Sequence, residues 1–273
     1  MEKLRILFVN QEIEPYVVGT PMASLGLRLP QHAQELGYEI RTFMPKFGVI
    51  NERRNQLHEV IRLSGLNLVI AGNDHPLMIK VASMQALRLQ VYFIDNEDFF
   101  LRRGITRDPL GTPYDDNDQR AFFFAKGVLE TVKKLRWIPD IIHCNGWFTA
   151  FVPPMVRLLY ANEPTFNRAK ILFTIYDDDP EELLGNSLES IIKALKIKDL
   201  AGIDPNDQSH ASLCRFALQY SDMLGFGDYS YPKELVEYAK QRGLPVVDLR
   251  TSDNQEDIYQ QLAAIVPDYK EEA

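Results

Sequence analysis

Leu4-Arg5-Ile6-Leu7-Phe8-Val9 sets the architecture of this chain. It is a short apolar run interrupted only by Arg5, and it reads as a strand buried on both faces, as in a parallel sheet. After a loop holding Pro15 and Gly19, residues 22–36 carry apolar side chains at helical spacing, and Gly37 stands where a helix C-cap is expected. Residues 38–44 form a second strand, stopped by Pro45. Strand, helix, strand in this order opens a doubly wound α/β domain.

The same alternation continues along the chain. Residues 51–95 are β-rich, with alternating runs at 76–81 and 87–94 punctuated by Gly65 and Gly72. A long helix is expected over 117–135, with Asp115, Asp116 and Asp118 around its start to complement the helix dipole. Strands follow at 140–143, 170–176, 223–226 and 244–249. Helices are expected at 147–160, at 179–182 onward, and at 187–195, 210–220, 232–242 and 254–265. With no linker and no repeat, the pattern predicts a mostly parallel, Rossmann-like α/β/α sandwich over residues 1–267 and a frayed charged tail at 268–273.

Of the 273 residues, 45% are hydrophobic and 25% charged, a composition that builds a core without disulfides or metals. The net charge of -8 argues against nucleic acid and anionic membranes as partners, since both favour a basic surface. Two cysteines, Cys144 and Cys214, lie in no metal-like spacing and suit a reducing, cytoplasmic compartment. The first apolar run is too short for a signal peptide, and no run reaches the ~20 apolar residues of a membrane span.

Four ordered stretches resemble the glycogen/starch synthases, retaining glycosyltransferases of the GT-B fold. The first is Ile6-Leu7-Phe8-Val9 with Glu12 and Pro15, then Leu25 to Pro30, Gly37-Tyr38-Glu39-Ile40 and Met44-Pro45-Lys46-Phe47-Gly48. The second is Val91-Tyr92-Phe93-Ile94-Asp95-Asn96 with Tyr114, Asp116-Asn117 and Arg120, similar to the family's D-N-x-x-R-F. The third is Pro139-Asp140-Ile141-Ile142-His143-Cys144 with Trp147, Thr149-Ala150 and Val152-Pro153. The fourth is Phe173-Thr174-Ile175, with Tyr220-Ser221-Asp222 and Tyr229-Ser230 further on. The resemblance implies the N-terminal, acceptor-side half of such an enzyme, with the nucleotide-binding second domain missing.

The resemblance also implies where chemistry belongs. Transfer of glucose from a nucleotide sugar needs cations and helix N-termini on the diphosphate. The family writes K-x-G-G-L-x-D in its phosphate loop; this chain has Val18, Thr20, Pro21, Met22 and Ser24 there. A charge and a glycine pair are lost, and Pro21 has no N–H. The family's H-x-H-D-W-H-T becomes His143-Cys144-Asn145-Gly146-Trp147-Phe148-Thr149, and F-T-I-H-N becomes Phe173-Thr174-Ile175-Tyr176-Asp177. Phe148 cannot move a proton or bond a sugar hydroxyl. Asp177, Asp178 and Asp179 form a carboxylate cluster, read either as a cation site or as a helix cap with solvated neighbours.

Candidate glucan or ligand contacts are Asp95, Tyr114, Asn117, Arg120, His143 and Trp147; Tyr114 and Trp147 are of a type that stacks on sugar rings. Each has a structural alternative: a helix cap, an ion pair or a core position. No G-x-G-x-x-G, Walker loop, H-E-x-x-H or G-x-S-x-G is present, so no catalytic residue, cofactor or metal is assigned. The expected function is that of a synthase-like protein, inactive alone, with a binding or regulatory role toward a protein partner, a second copy or a small ligand. The alternatives are a glucan synthase subunit completed by another chain, and an α-glucan-binding module.

Overall fold

In chain order the strands are β1 (Arg5–Asn10), β2 (Glu39–Pro45), β3 (His58–Glu59), β4 (Leu66–Ile70), β5 (Asn73–Met84), β6 (Leu89–Asp95), β7 (Ile141–Asn145), β8 (Lys170–Ile175), β9 (Met223–Phe226) and β10 (Val246–Asp248). The helices are α1 (Pro21–Glu35), α2 (Glu97–Phe100), α3 (Asn117–Leu135), α4 (Val152–Pro154), α5 (His210–Gln219) and α6 (Lys233–Gln241). The structure is a computed structural model that describes residues 3–177, 191, 193, 195, 207, 209–250, 258–262 and 264.

Among these residues the sheet runs in the order β10-β9-β8-β7-β1-β2-β6-β5-β3, with β4 paired to β5. From β10 to β6 every neighbouring pair is parallel, while β5 runs antiparallel to β6, β3 and β4. The chain builds outward from β1 through β2 to β6, then crosses back to place β7 on the other flank of β1. That crossing is the switch point, where open α/β sheets bind ligands beyond the carboxyl ends of their strands. The loops after β1 and β7 meet there: Gln11 N donates to Asn145 O at 2.9 Å.

β1 shows why a continuous apolar run was needed. Ile6 and Phe8 join one core with Met22, Leu25 and Leu29 of α1 and with Ile258, Tyr259 and Leu262. Leu7 and Val9 join the core on the opposite face, with Phe123, Phe124 and Val128 of α3 and with Phe216 of α5. Alternate side chains thus serve two layers of helix. α3 approaches the sheet at Gly127, where an added Cβ would lie 2.9 Å from Ile94 Cγ2.

Most expected elements stand where the periodicity puts them, α3 to the residue. The region 147–160 differs. A 3₁₀ turn (Trp147–Thr149) leads into α4, and a π turn (Met155–Leu159) follows, closed by Tyr160 N donating to Met155 O at 2.9 Å. Pro153 and Pro154 have no N–H to return to the preceding turn, so one continuous α-helix cannot form. The helices expected at 179–182 onward and 187–195, half of that at 254–265, and the tail at 268–273 lie outside the described residues apart from 191, 193 and 195; within 254–265 the described residues 258–262 and 264 are helical. Among the described residues no helix is long and apolar enough to cross a membrane.

Candidate functional site

The start of α1 is where the resemblance places phosphate binding. The first amides of a helix lack intrahelical partners and favour an anion. Here Thr20 meets those of Ala23 and Ser24 from within. Thr20 is the N-cap, and its Oγ1 accepts from Ala23 N at 3.0 Å; Pro21 follows at the first helical position with no N–H to offer. The Thr20 hydroxyl donates to Glu12 Oε2 at 2.5 Å, and Glu12 is only 7% exposed. A carboxylate therefore already faces the positive end of the α1 dipole. Val18 does not fill the loop; it is 69% exposed. Pro21 also faces solvent, and Ser24 is half-buried.

The loop after β7 is knitted to the loop after β1. Asn145 Nδ2 donates to Asn10 Oδ1 at 3.1 Å, and Asn145 Oδ1 accepts from Tyr176 Oη at 2.6 Å. Asn145 and Tyr176 stand where the family has histidines, so the two replacements bond to each other. Gly146 has φ +87°, and an added Cβ would lie 2.7 Å from Met22 Sδ and 2.8 Å from Gln11 Oε1, so glycine is required on both counts. Gln11 Oε1 also accepts from Phe148 N at 3.0 Å. Phe148 is fully buried, packed against Phe47 at 5.6 Å and Trp147 at 5.3 Å between ring centroids.

Of the six residues expected to meet a ligand, five are buried in this structure. Asn117, Arg120 and His143 are 0% exposed, Trp147 is 1% and Asp95 is 5%; Tyr114 alone of the six is half-buried. His143 lies between Tyr259 Oη at 3.0 Å and Thr174 Oγ1 at 2.7 Å, and burial pulls its pKa down to about 3, so it stays neutral. Trp147 packs edge-on to His210 at 6.3 Å within the core. Arg120 donates from Nε to Phe99 O at 2.7 Å and from Nη1 to Asn117 Oδ1 at 2.6 Å. Phe47, Phe100, Phe148 and Tyr114 surround its guanidinium, with centroids 5.0–5.8 Å away. Burial, with Arg102 nearby, brings its pKa down to about 10. Arg102 is held by both oxygens of Asp116 and lies over the Tyr114 ring at 4.8 Å.

Asp95 belongs to a separate ion network. Lys80 Nζ sits 2.8 Å from Asp95 Oδ2 and 2.7 Å from Glu52 Oε1, which Lys46 Nζ also approaches at 2.8 Å. Burial would raise the Glu52 pKa, but the bonds from Lys46 and Lys80 outweigh it and hold the carboxyl below its ordinary range. Lys80→Met removes the cation from Asp95, whose side chain is 7% exposed. It is expected to cost about 2–4 kcal/mol in urea unfolding, and much less when combined with Asp95→Leu.

Gln11, Lys46, Glu52, Lys80 and Arg102 were not among the sequence candidates. Gln11 and Lys46 immediately follow parallel strands at the edge where ligands bind, which was an available signal. Arg102 and Lys80 had none, because their carboxylate partners lie 14 residues away or further, and Glu52 is bridged to Lys80 28 residues on as well as to the nearby Lys46. Asp177 is exposed, and Asp178 and Asp179 lie outside the described residues, as does any cation site built on them.

Comparison with known proteins agrees with this arrangement. The starch synthase catalytic domain family matches residues 5–247. A glycogen synthase of Chlorobaculum parvum is 31% identical over 232 residues, covering 85% of this chain and 47% of the relative. A glycogen synthase of Chlorobium chlorochromatii is 38% identical over 175 residues, covering 63% and 36%. Among solved structures, the catalytic domain of starch synthase IV from Arabidopsis thaliana, bound to ADP and acarbose, matches with a TM-score of 0.64 at 19% identity, over 96% of this chain and 49% of that one. The chain thus spans about half the length, or less, of the relatives it matches. A mostly parallel sheet wound from β1, carrying these motifs in this order over most of its length, belongs to the glycogen/starch synthase family.

Proposed function

We propose that this chain is a glycogen/starch synthase-family protein that does not transfer glucose on its own and acts instead by binding, as a pseudo-glycosyltransferase. One observation carries this reading: at the helix start where a donor diphosphate would sit, Thr20 accepts from the amides of Ala23 and Ser24 and Pro21 has none to offer, with the Glu12 carboxylate bonded to the Thr20 hydroxyl. A diphosphate there would meet a negative charge instead of a lysine. The paired replacements Asn145 and Tyr176 support the same reading, since they leave no imidazole at either position to handle a proton or a sugar hydroxyl.

A second reading has its own observation. Val18, Val49, Leu101, Leu110 and Tyr229 are 47–91% exposed, and all five lie on loops that follow the carboxyl ends of β1, β2, β6 and β9. An apolar rim of this kind suits a second chain that completes a glucan synthase. The α-glucan-binding alternative draws on Tyr114 alone, because Trp147 is buried.

The test is transfer of labelled glucose from ADP-glucose and from UDP-glucose to maltooligosaccharides. The purified chain is expected to give no product above a protein-free control. Robust transfer by the chain alone would overturn the proposal, and transfer that appears only with a co-purifying chain would establish the second reading.

A further inference from the structure

A strand at the edge of a sheet carries backbone groups that a foreign strand can claim, and short length, charge or proline normally guards against it. β3 and β10, at the two ends of the sheet order, are only two and three residues long. β4, which lies outside β5, differs. It has five residues, Leu66-Asn67-Leu68-Val69-Ile70, and the run from Gly65 to Asn73 contains no charge and no proline.

The hairpin geometry sets which groups of β4 are free. Ala71 and Gly72, at φ +49° and +86°, make a two-residue turn that closes on the Ile70–Asn73 pair. Alternation along the antiparallel ladder then turns the N–H and C=O of Ile70, Leu68 and Leu66 toward β5, and those of Val69 and Asn67 away from it. Pro76, opposite Asn67, fits this phase: it has no N–H to give the ladder, and its carbonyl accepts from Asn96 Nδ2 at 2.9 Å instead. Among the described residues nothing bonds the outward backbone groups of Asn67 and Val69. Both residues are exposed, Val69 by 53%, while Leu68 and Ile70 are buried and hold the strand in place.

This edge is complementary to itself. Set antiparallel about a two-fold axis at Leu68, Asn67 of one copy faces Val69 of the other, and both pairs exchange N–H···O bonds with no charge in the ladder. The hairpin tip of each copy, with Asp74 beside it, then lies at the start of the other copy's β4, beside the turn that carries Arg62. Arg62 and Asp74 are both exposed, and neither has an ion-pair partner among the described residues. Opposite charges therefore flank the uncharged run, one at each end.

We infer that β4 is an interface between two copies of this chain, which pair edge to edge and continue the β4–β5 hairpin into a four-stranded ribbon. The contact is small for a stable dimer, so the association is reversible, with a dissociation constant of about 10–100 μM. It lies apart from the loops after β1 and β7 and does not depend on whether the chain transfers glucose.

Sedimentation equilibrium of the full chain from about 1 to 300 μM tests the inference across the range a contact of this size implies. Dimers are expected to accumulate toward the upper end. Asn67→Pro removes an outward N–H at no cost in intrachain hydrogen bonds, and Val69→Lys places a charge on the exposed edge; each is expected to weaken dimerisation by about tenfold or more at a nearly unchanged thermal midpoint. Arg62→Glu is expected to weaken it about fivefold, and adding Asp74→Arg to restore it. A monomer at every concentration would overturn the inference, whether or not a strand of another protein takes the edge. So would dimers that Asn67→Pro and Val69→Lys leave intact, or a charge reversal that the second substitution does not rescue.

Discussion

Phe148→His is expected to destabilise the chain by about 2–4 kcal/mol in urea unfolding and to restore no glucose transfer. The substitution returns the residue the family carries, so a purely local view predicts a gain of function. The surroundings predict the opposite. Phe148 is 0% exposed and packs against the rings of Phe47, Phe100, Phe124 and Trp147 at 5.3–6.4 Å. An imidazole there would bury two ring nitrogens among aromatic faces. It would also lie beside the Arg120 guanidinium, now 5.6 Å from the Phe148 ring, which opposes protonation. The backbone N–H of residue 148 already bonds Gln11, so no local donor is gained. A variant within about 0.5 kcal/mol of the parent, or one with measurable transferase activity, would show that the pocket accepts the family residue.

The second large effect is a pH dependence centred on His143. Its folded-state pKa of about 3 lies below the ordinary 6.5, because the buried imidazole has lost solvent. Protonation therefore favours the unfolded chain. The stability tied to this group is fully present above pH 6.5 and is lost as pH falls from there toward 3, at up to about 1.4 kcal/mol per pH unit. His143→Gln keeps a side chain able to bond Thr174 or Tyr259 but does not titrate. Between pH 7.0 and 5.0 the parent is expected to lose about 2 kcal/mol more than the variant, read from urea midpoints at the two values. Parallel pH profiles would show that His143 titrates as it does in the unfolded chain.

The fold was largely legible in the sequence because burial on two faces leaves a local signature. Residues 4–9 read as a buried strand, and outside the β-rich stretch at 51–95 the apolar runs that followed alternated with helix-period segments. The exception at 147–160 came from Pro153 and Pro154, whose missing donors matter to the turn before them. The candidate site was less legible. Thr20 and Pro21 could be read as a closed phosphate loop from residue type, since a cap and a missing N–H are local properties. Trp147 could not be read so directly: an indole beside a loop glycine looks alike whether it faces a ligand or the core, and only packing against Phe148 and His210 put it inside.

The order of elements was enough to predict a doubly wound fold, and the resemblance to the synthases located the altered motif positions. They were not enough to show how those alterations fit together. Asn145 and Tyr176, 31 residues apart, share a hydrogen bond, Glu12 stands behind the Thr20 cap, and His143 is held between Thr174 and Tyr259, 116 residues along the chain. The reason is physical: periodicity, capping and turn chemistry act within a few residues, whereas desolvation and hydrogen-bond pairing depend on which distant strands and helices the sheet brings into contact.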